Sequence, residues 1–141
     1  MVNCYLIQVT TGKEEIYKKH AYRFAEIQQL PCKLILPRRE LTIKRQGKFS
    51  KVVKPIFPSY IFWETEKPDP EVRRMLRHVP GFIRLVKDEF GKLIPLSEGD
   101  RTIVASITSD GEVAKRSLVF STKTIAYVFS KDLLRAMKAA S

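Results

Sequence analysis

Only two cysteines and two histidines occur in the 141 residues, too few to supply a ligand set for zinc. Cys4 and Cys32 sit in apolar, strand-like contexts, so reduced, buried thiols are expected. Long hydrophobic runs are also missing. No stretch approaches the roughly 20 apolar residues that cross a bilayer, and the start MVNCYLIQV has no basic segment ahead of an apolar core. A cytoplasmic protein with no membrane partner is the expectation. There is no glycine-rich phosphate loop and no paired-carboxylate motif, and neither His20, within a helix, nor His78, at a helix end, has a nucleophile motif beside it. These absences argue against an enzyme and against a cofactor or bound metal, and in favour of a binding module.

Acid is the scarcer charge, with 15 Asp and Glu against 26 Lys and Arg. The excess is regional. Residues 1–54 carry 12 basic side chains against 4 acidic, residues 55–112 carry 8 against 10, and residues 113–141 carry 6 against 1. The segment from Lys33 to Lys54 holds eight basic residues and a single acid, Glu40. A solvated surface normally mixes signs, so a one-sign segment points to a polyanion. The alternative is a solubilising loop with no partner.

What the chain has in abundance is one aromatic stretch, KPIFPSYIFWE from Lys54 to Glu64. Pro55 and Pro58 fix φ and lack an N–H, so they mark the approach to a strand over Ser59–Glu64. Side chains alternate along a strand, which sets Ile61 and Trp63 on one face and Tyr60 and Phe62 on the other. Both faces are apolar. Either both are covered, or the Tyr60 and Phe62 face is left for a partner.

In chain order, Cys4–Val9 reads as a strand. Thr11 and Glu14 form a capping-box signature for a helix starting at Gly12 or Lys13. Ile16, His20, Phe24 and Ile27, with Ala21 and Ala25 alongside, recur at helical spacing and predict the inward stripe, and Leu30-Pro31 ends the helix near Gln29. Cys32–Leu36 is a second strand. Glu40–Arg45 and Lys48–Val53 form a basic hairpin turning at Gln46-Gly47, with Lys44, Arg45, Lys48 and Lys51 near its tip. Asp69 and Pro70 open a helix whose inward stripe is Val72, Met75, Leu76 and Val79, with Arg73, Arg74 and Arg77 outward. Phe82–Lys87 is a strand and Asp88–Lys92 a turn. Ser97 and Asp100 open a further helix that carries Ile103, Val104 and Ile107 inward and closes at Gly111. Beyond Val113 come two short β-like runs, Ser117–Phe120 and Thr124–Phe129, then a helix capped by Ser130. The fold class is α+β: a mostly antiparallel four-stranded sheet, about three helices and a projecting basic hairpin.

Five segments in register, CYLIQVTTGKEE, PRRELTIKRQGK, KPIFPSYIF, LRHVPGFIRLV and IPLSEGD, resemble the N-terminal domain of NusG-type transcription elongation factors. Their details are closer to the specialised RfaH, UpxY and LoaP kind. The resemblance spans about residues 3–110. It implies one domain over residues 1–110 and an extension over residues 111–141 that is too short for the family's KOW barrel. It also implies, without a derivation from spacing, a monomer that docks on RNA polymerase at the β′ clamp helices and reaches the β gate loop, restraining clamp opening and promoting processive elongation. The clamp-facing residues carried over are Phe57, Pro58, Tyr60 and Phe62, supported by Tyr5, with Arg73 and Arg74 toward the gate loop. Nucleic acid, as non-template DNA or nascent RNA, is implied at Lys13, His20 and Arg23 of the first helix. Two departures stand out: Cys4-Tyr5 replaces a Trp-Tyr pair, and Ser59 stands where the family usually has glycine. Two other readings remain open, an RNA or DNA hairpin-binding module using the basic hairpin and first helix, and a soluble domain with no nucleic-acid role.

Overall fold

The computed structural model describes residues 2–102 and 113–114. Its elements are β1 (Asn3–Val9), α1 (Glu14–Gln28), β2 (Lys33–Ile35), β3 (Arg38–Arg45), β4 (Lys48–Pro55), β5 (Tyr60–Thr65), α2 (Pro70–His78), β6 (Phe82–Leu85) and β7 (Val113–Ala114). A third helix begins at residue 98. Four strands form a sheet in the order β2-β5-β1-β6, every pair antiparallel. The α+β architecture expected from the sequence is therefore present. Among the described residues no helix is long and apolar enough to cross a membrane.

One face of this sheet carries Tyr5, Ile7, Val9, Leu34, Ile61, Trp63 and Leu85, covered by Tyr17, Ala21 and Ala25 of α1 and by Val72, Met75 and Leu76 of α2. The α2 stripe is the expected one, and Asp69 caps it by accepting the Glu71 N–H at 2.8 Å. The α1 stripe is the expected one only in Ala21, Ala25 and the half-buried Phe24. Ile16 and Ile27 are 48% and 72% exposed, while Tyr17 and Ala21 are fully buried. The two alanines present almost no side chain, so the helix can settle close to the sheet, and the larger isoleucines turn to solvent. Tyr17 joins the helices by donating its hydroxyl to the Leu76 carbonyl at 2.7 Å. Burial pushes its phenol pKa upward.

Among the described residues the edge strand β2 pairs only with β5. The main chain of Leu34 is satisfied on its other side by one side chain: the Tyr22 hydroxyl donates to the Leu34 carbonyl at 2.8 Å and accepts the Leu34 N–H at 2.9 Å. An open strand edge is a template for pairing with another chain, and here a phenol occupies it.

β3 and β4 form the expected hairpin, longer by two residues on each arm, with register from Arg38↔Pro55 to Arg45↔Lys48. Gln46 and Gly47 have φ of 52° and 79°, the two positive values that a two-residue type I′ turn requires. Val113–Ala114 pairs in parallel with Arg38–Arg39 at the hairpin base. The Asp88 carboxylate closes the next turn by accepting from Phe90 N and Lys92 N at 2.8 and 2.9 Å, and the Ser97 hydroxyl accepts the Asp100 N–H at 3.1 Å at the start of the third helix. The expected inward residues Ile103, Val104 and Ile107, the helix end at Gly111, the domain boundary at 110/111 and the runs from Ser117 onward lie outside the described residues.

Candidate functional site

The approach to β5 is a tight turn. The Tyr60 N–H donates to the Phe57 carbonyl at 3.1 Å, Pro58 occupies the first central position, and Ser59 has φ of 76°. That is the pattern of a type II turn, in which the second central residue must adopt positive φ and is usually glycine. A serine there is held by three contacts. Its N–H donates to the Glu14 carboxylate at 3.0 Å, its carbonyl accepts the Val9 N–H at 2.7 Å, and its hydroxyl is hydrogen-bonded to that of Thr11. The Thr11 and Glu14 pair thus does not form the expected capping box. α1 starts at Glu14 with no side-chain cap, because both residues are engaged with the turn.

This turn sets what the aromatic strand exposes. Tyr60 and Phe62 do lie opposite Ile61 and Trp63, but the expectation of an open face is corrected for most of its members. Phe62, Phe57 and Tyr5 have 0%, 3% and 6% of their surface exposed. Phe57 meets Phe62 edge-on, ring centres 5.7 Å apart, and buried Leu6 lies opposite Phe62 in the register. The chain after β6 runs on beside β1, with the Val86 N–H donating to the Leu6 carbonyl at 3.0 Å and the Leu96 N–H to the Cys4 carbonyl at 2.7 Å. Leu6 and Phe62 are buried, so the second apolar face is covered and not open; Ile56, Val86 and Leu96 are buried as well. Tyr5 belongs to the helix-covered face, where its ring packs 5.8 Å from Trp63.

Pro58 remains exposed and Tyr60 half-buried. The register places Gln8 beside Tyr60 and Arg84 beside Gln8, and Arg84 Nε donates to Gln8 Oε1 at 2.7 Å. The Tyr60 phenol is raised above its ordinary pKa by burial, with the Arg84 charge and hydrogen bond opposing. The surface beside the turn is therefore Pro58, Tyr60, Gln8 and Arg84. Gln8 and Arg84 were not legible as site residues, because which positions face each other across strands so distant in sequence is not written in either segment.

The other expected positions fall in three places. Arg74 is exposed on α2, while Arg73 is half-buried, with its Nε buried and no hydrogen-bond partner among the described residues. Lys13 and Arg23 are exposed and His20 half-buried; Arg23 lies on the side of α1 away from Tyr17, Ala21 and Ala25, whereas Lys13, just ahead of the helix, is in line with them by i, i+4 spacing. Lys44, Arg45, Lys48 and Lys51 are all exposed. Their positions split between the hairpin faces: Lys44 and Lys51 share the face of Phe49, whereas Arg45 and Lys48 share that of Ile43. An ion pair between Glu15 and Arg38 ties the first turn of α1 to the hairpin base. About 25 Å of strand separates that tie from the turn. Both cysteines are free thiols, raised by burial to about 12 for Cys4 and about 11 for Cys32. Among the described residues no group of His, Cys, Asp and Glu could hold a metal ion.

A family model described as NusG, transcription termination factor nusG, matches residues 3–104. Among solved structures, that of Thermotoga maritima NusG, concerned with its domain interaction, is similar in fold with a TM-score of 0.56 at 22% identity. The similarity covers 74% of this chain and 56% of that one, so this chain spans little more than half the length of that relative. No curated protein matches.

Proposed function

The chain belongs to the NusG family, and on that premise we propose that it is a transcription elongation and antitermination factor that docks on RNA polymerase at the β′ clamp helices and promotes processive elongation. The observation that carries this reading is the Phe57–Tyr60 turn, which holds Pro58 and Tyr60 outward from an otherwise covered aromatic strand. In this reading Pro58 and Tyr60 meet the clamp helices with Gln8 and Arg84 beside them. Phe57 and Phe62 act from beneath, as packing that fixes the turn, while Tyr5 acts only through the helix-covered core behind the strand. Arg73 and Arg74 of α2 face the β gate loop. Lys13 at the start of α1, His20 and Arg23 on it, and Lys44, Arg45, Lys48 and Lys51 on the hairpin meet nucleic acid in or near the bubble, through phosphate contacts that weaken with salt.

Capture of polymerase core on the immobilised chain tests the docking. A large aromatic side chain at the centre of such a contact commonly contributes about 2 kcal/mol or more, so Tyr60→Ala should weaken capture by at least about tenfold. Phe62→Ala is a poor probe, since it opens a cavity in the core. Undiminished capture by a folded Tyr60→Ala protein removes the clamp-docking assignment.

A further inference from the structure

Phe49 is 73% exposed, on a hairpin arm two residues past the turn. An isolated exposed apolar residue is ordinary, but the surroundings of this one are not. Lys44, its cross-strand partner, holds its ammonium 5.6 Å from the centre of the ring. Lys51 lies on the same face of the same arm, about 7 Å along the strand, and Lys48 precedes Phe49 directly. The segment from residue 38 to 55 holds seven basic residues and one acid. That acid, Glu40, is within 3.6 Å of Lys51.

We propose that Phe49 is a stacking platform for an unpaired base, which makes the hairpin a reader of single-stranded nucleic acid and not only an electrostatic contact to phosphates. This rests on the reading above that the hairpin meets nucleic acid, and it names which form. Every base has a π-face that can lie on a phenyl ring, whereas a paired base in a duplex is already stacked on both sides. Lys44 and Lys51, on the same face, then take the phosphates on either side of the stacked nucleotide. Charge complementarity selects the polyanion, and the exposed ring selects its unpaired form. The ring and its lysines discriminate neither sugar, so the shared chemistry is an unpaired nucleotide of DNA or RNA.

The test is fluorescence anisotropy of the full chain with a dT12 strand, a U12 strand and a 12-base-pair DNA duplex, each across a salt series. Phe49→Ala should weaken binding to the single strands by about fivefold to a hundredfold, the range for loss of one stacked base, and leave duplex binding unchanged. It should leave the salt slope unchanged as well, because no phosphate contact is removed, whereas Lys51→Ala, on the same face as Phe49, should make the slope shallower by about one unit. Phe49→Trp should restore single-strand affinity. The inference is overturned if Phe49→Ala binds single strands as tightly as the unaltered chain, or if it loses single strands and duplex equally. An unaltered chain that binds none of the three probes also overturns it, and removes the hairpin's nucleic-acid role while leaving the polymerase capture result standing.

Discussion

Glu14 shows how a single side chain can reset the meaning of a local motif. Four residues of sequence offered a cap for α1, yet the carboxylate is 3% exposed and accepts the Ser59 N–H across a separation of 45 positions. A charged acceptor bonded to a partly buried N–H contributes more than a neutral pair, and deleting it leaves the donor without a partner. Glu14→Ala should therefore destabilise the chain by about 1–3 kcal/mol, read from the midpoint of urea unfolding. It should also loosen the Phe57–Tyr60 turn, visible as faster exchange of the Ser59 amide. A midpoint within error of the unaltered protein would detach Glu14 from the turn. The same contact explains how a serine persists at φ of 76°, in the left-handed region that costs a non-glycine residue roughly 1–2 kcal/mol.

Among the elements, β2 lies at the edge of its sheet, where its outer N–H and C=O would otherwise be open, and the Tyr22 hydroxyl supplies both the donor and the acceptor. Tyr22→Phe keeps the ring and its contact with Lys18 but strips Leu34 of two partners. It should cost about 1–3 kcal/mol and raise self-association through the freed edge, measured by sedimentation at increasing concentration. A monomer of unchanged stability would show that water replaces the phenol without loss. The elements differ in how far they could be read beforehand. The hairpin was legible because Gln46-Gly47 is local turn chemistry and its arms need no tertiary partner. The α2 stripe was legible because its large aliphatics are its buried ones. α1 was legible only in part: the spacing includes Ala21 and Ala25 but centres the stripe on Ile16 and Ile27, because nothing in the helix itself shows that Tyr17, whose hydroxyl finds the Leu76 carbonyl, is the large side chain turned inward. The burial of Phe62 was illegible for a different reason. Parity gives the face a strand residue points to, but whether that face is covered is decided by chain remote from β5, and nothing in β5 announces it.

At the scale of the whole molecule, the buried weak acids set a limit on the alkaline side. The Cys4 thiol is raised from 9.0 to about 12 and Cys32 from 9.0 to about 11, while Tyr17 is raised from 10.0. Below the ordinary thiol value both folded and unfolded chains keep these protons, and the stability associated with them is fully present. Above it the unfolded chain loses protons that the folded chain retains, so stability falls as pH rises. Thermal unfolding should show a steady decline in melting temperature from about pH 9 toward pH 12, shallower in Cys4→Val. A flat profile over that range would contradict the burial of these groups. The candidate site was readable at this scale as a basic region followed by an aromatic one. What joins them into surfaces, the register of β1 against β5 and β6, was not. That register carries one last consequence, for the order in which the chain is made. β1 is synthesised first, yet both of its neighbours in the sheet come later, β5 starting at Tyr60 and β6 at Phe82. At about 5–20 residues per second, the ribosome leaves the future centre of the sheet without its second neighbour for roughly 4–15 seconds. During that interval the apolar side chains of β1 are exposed to chaperones and to the strands of other nascent chains.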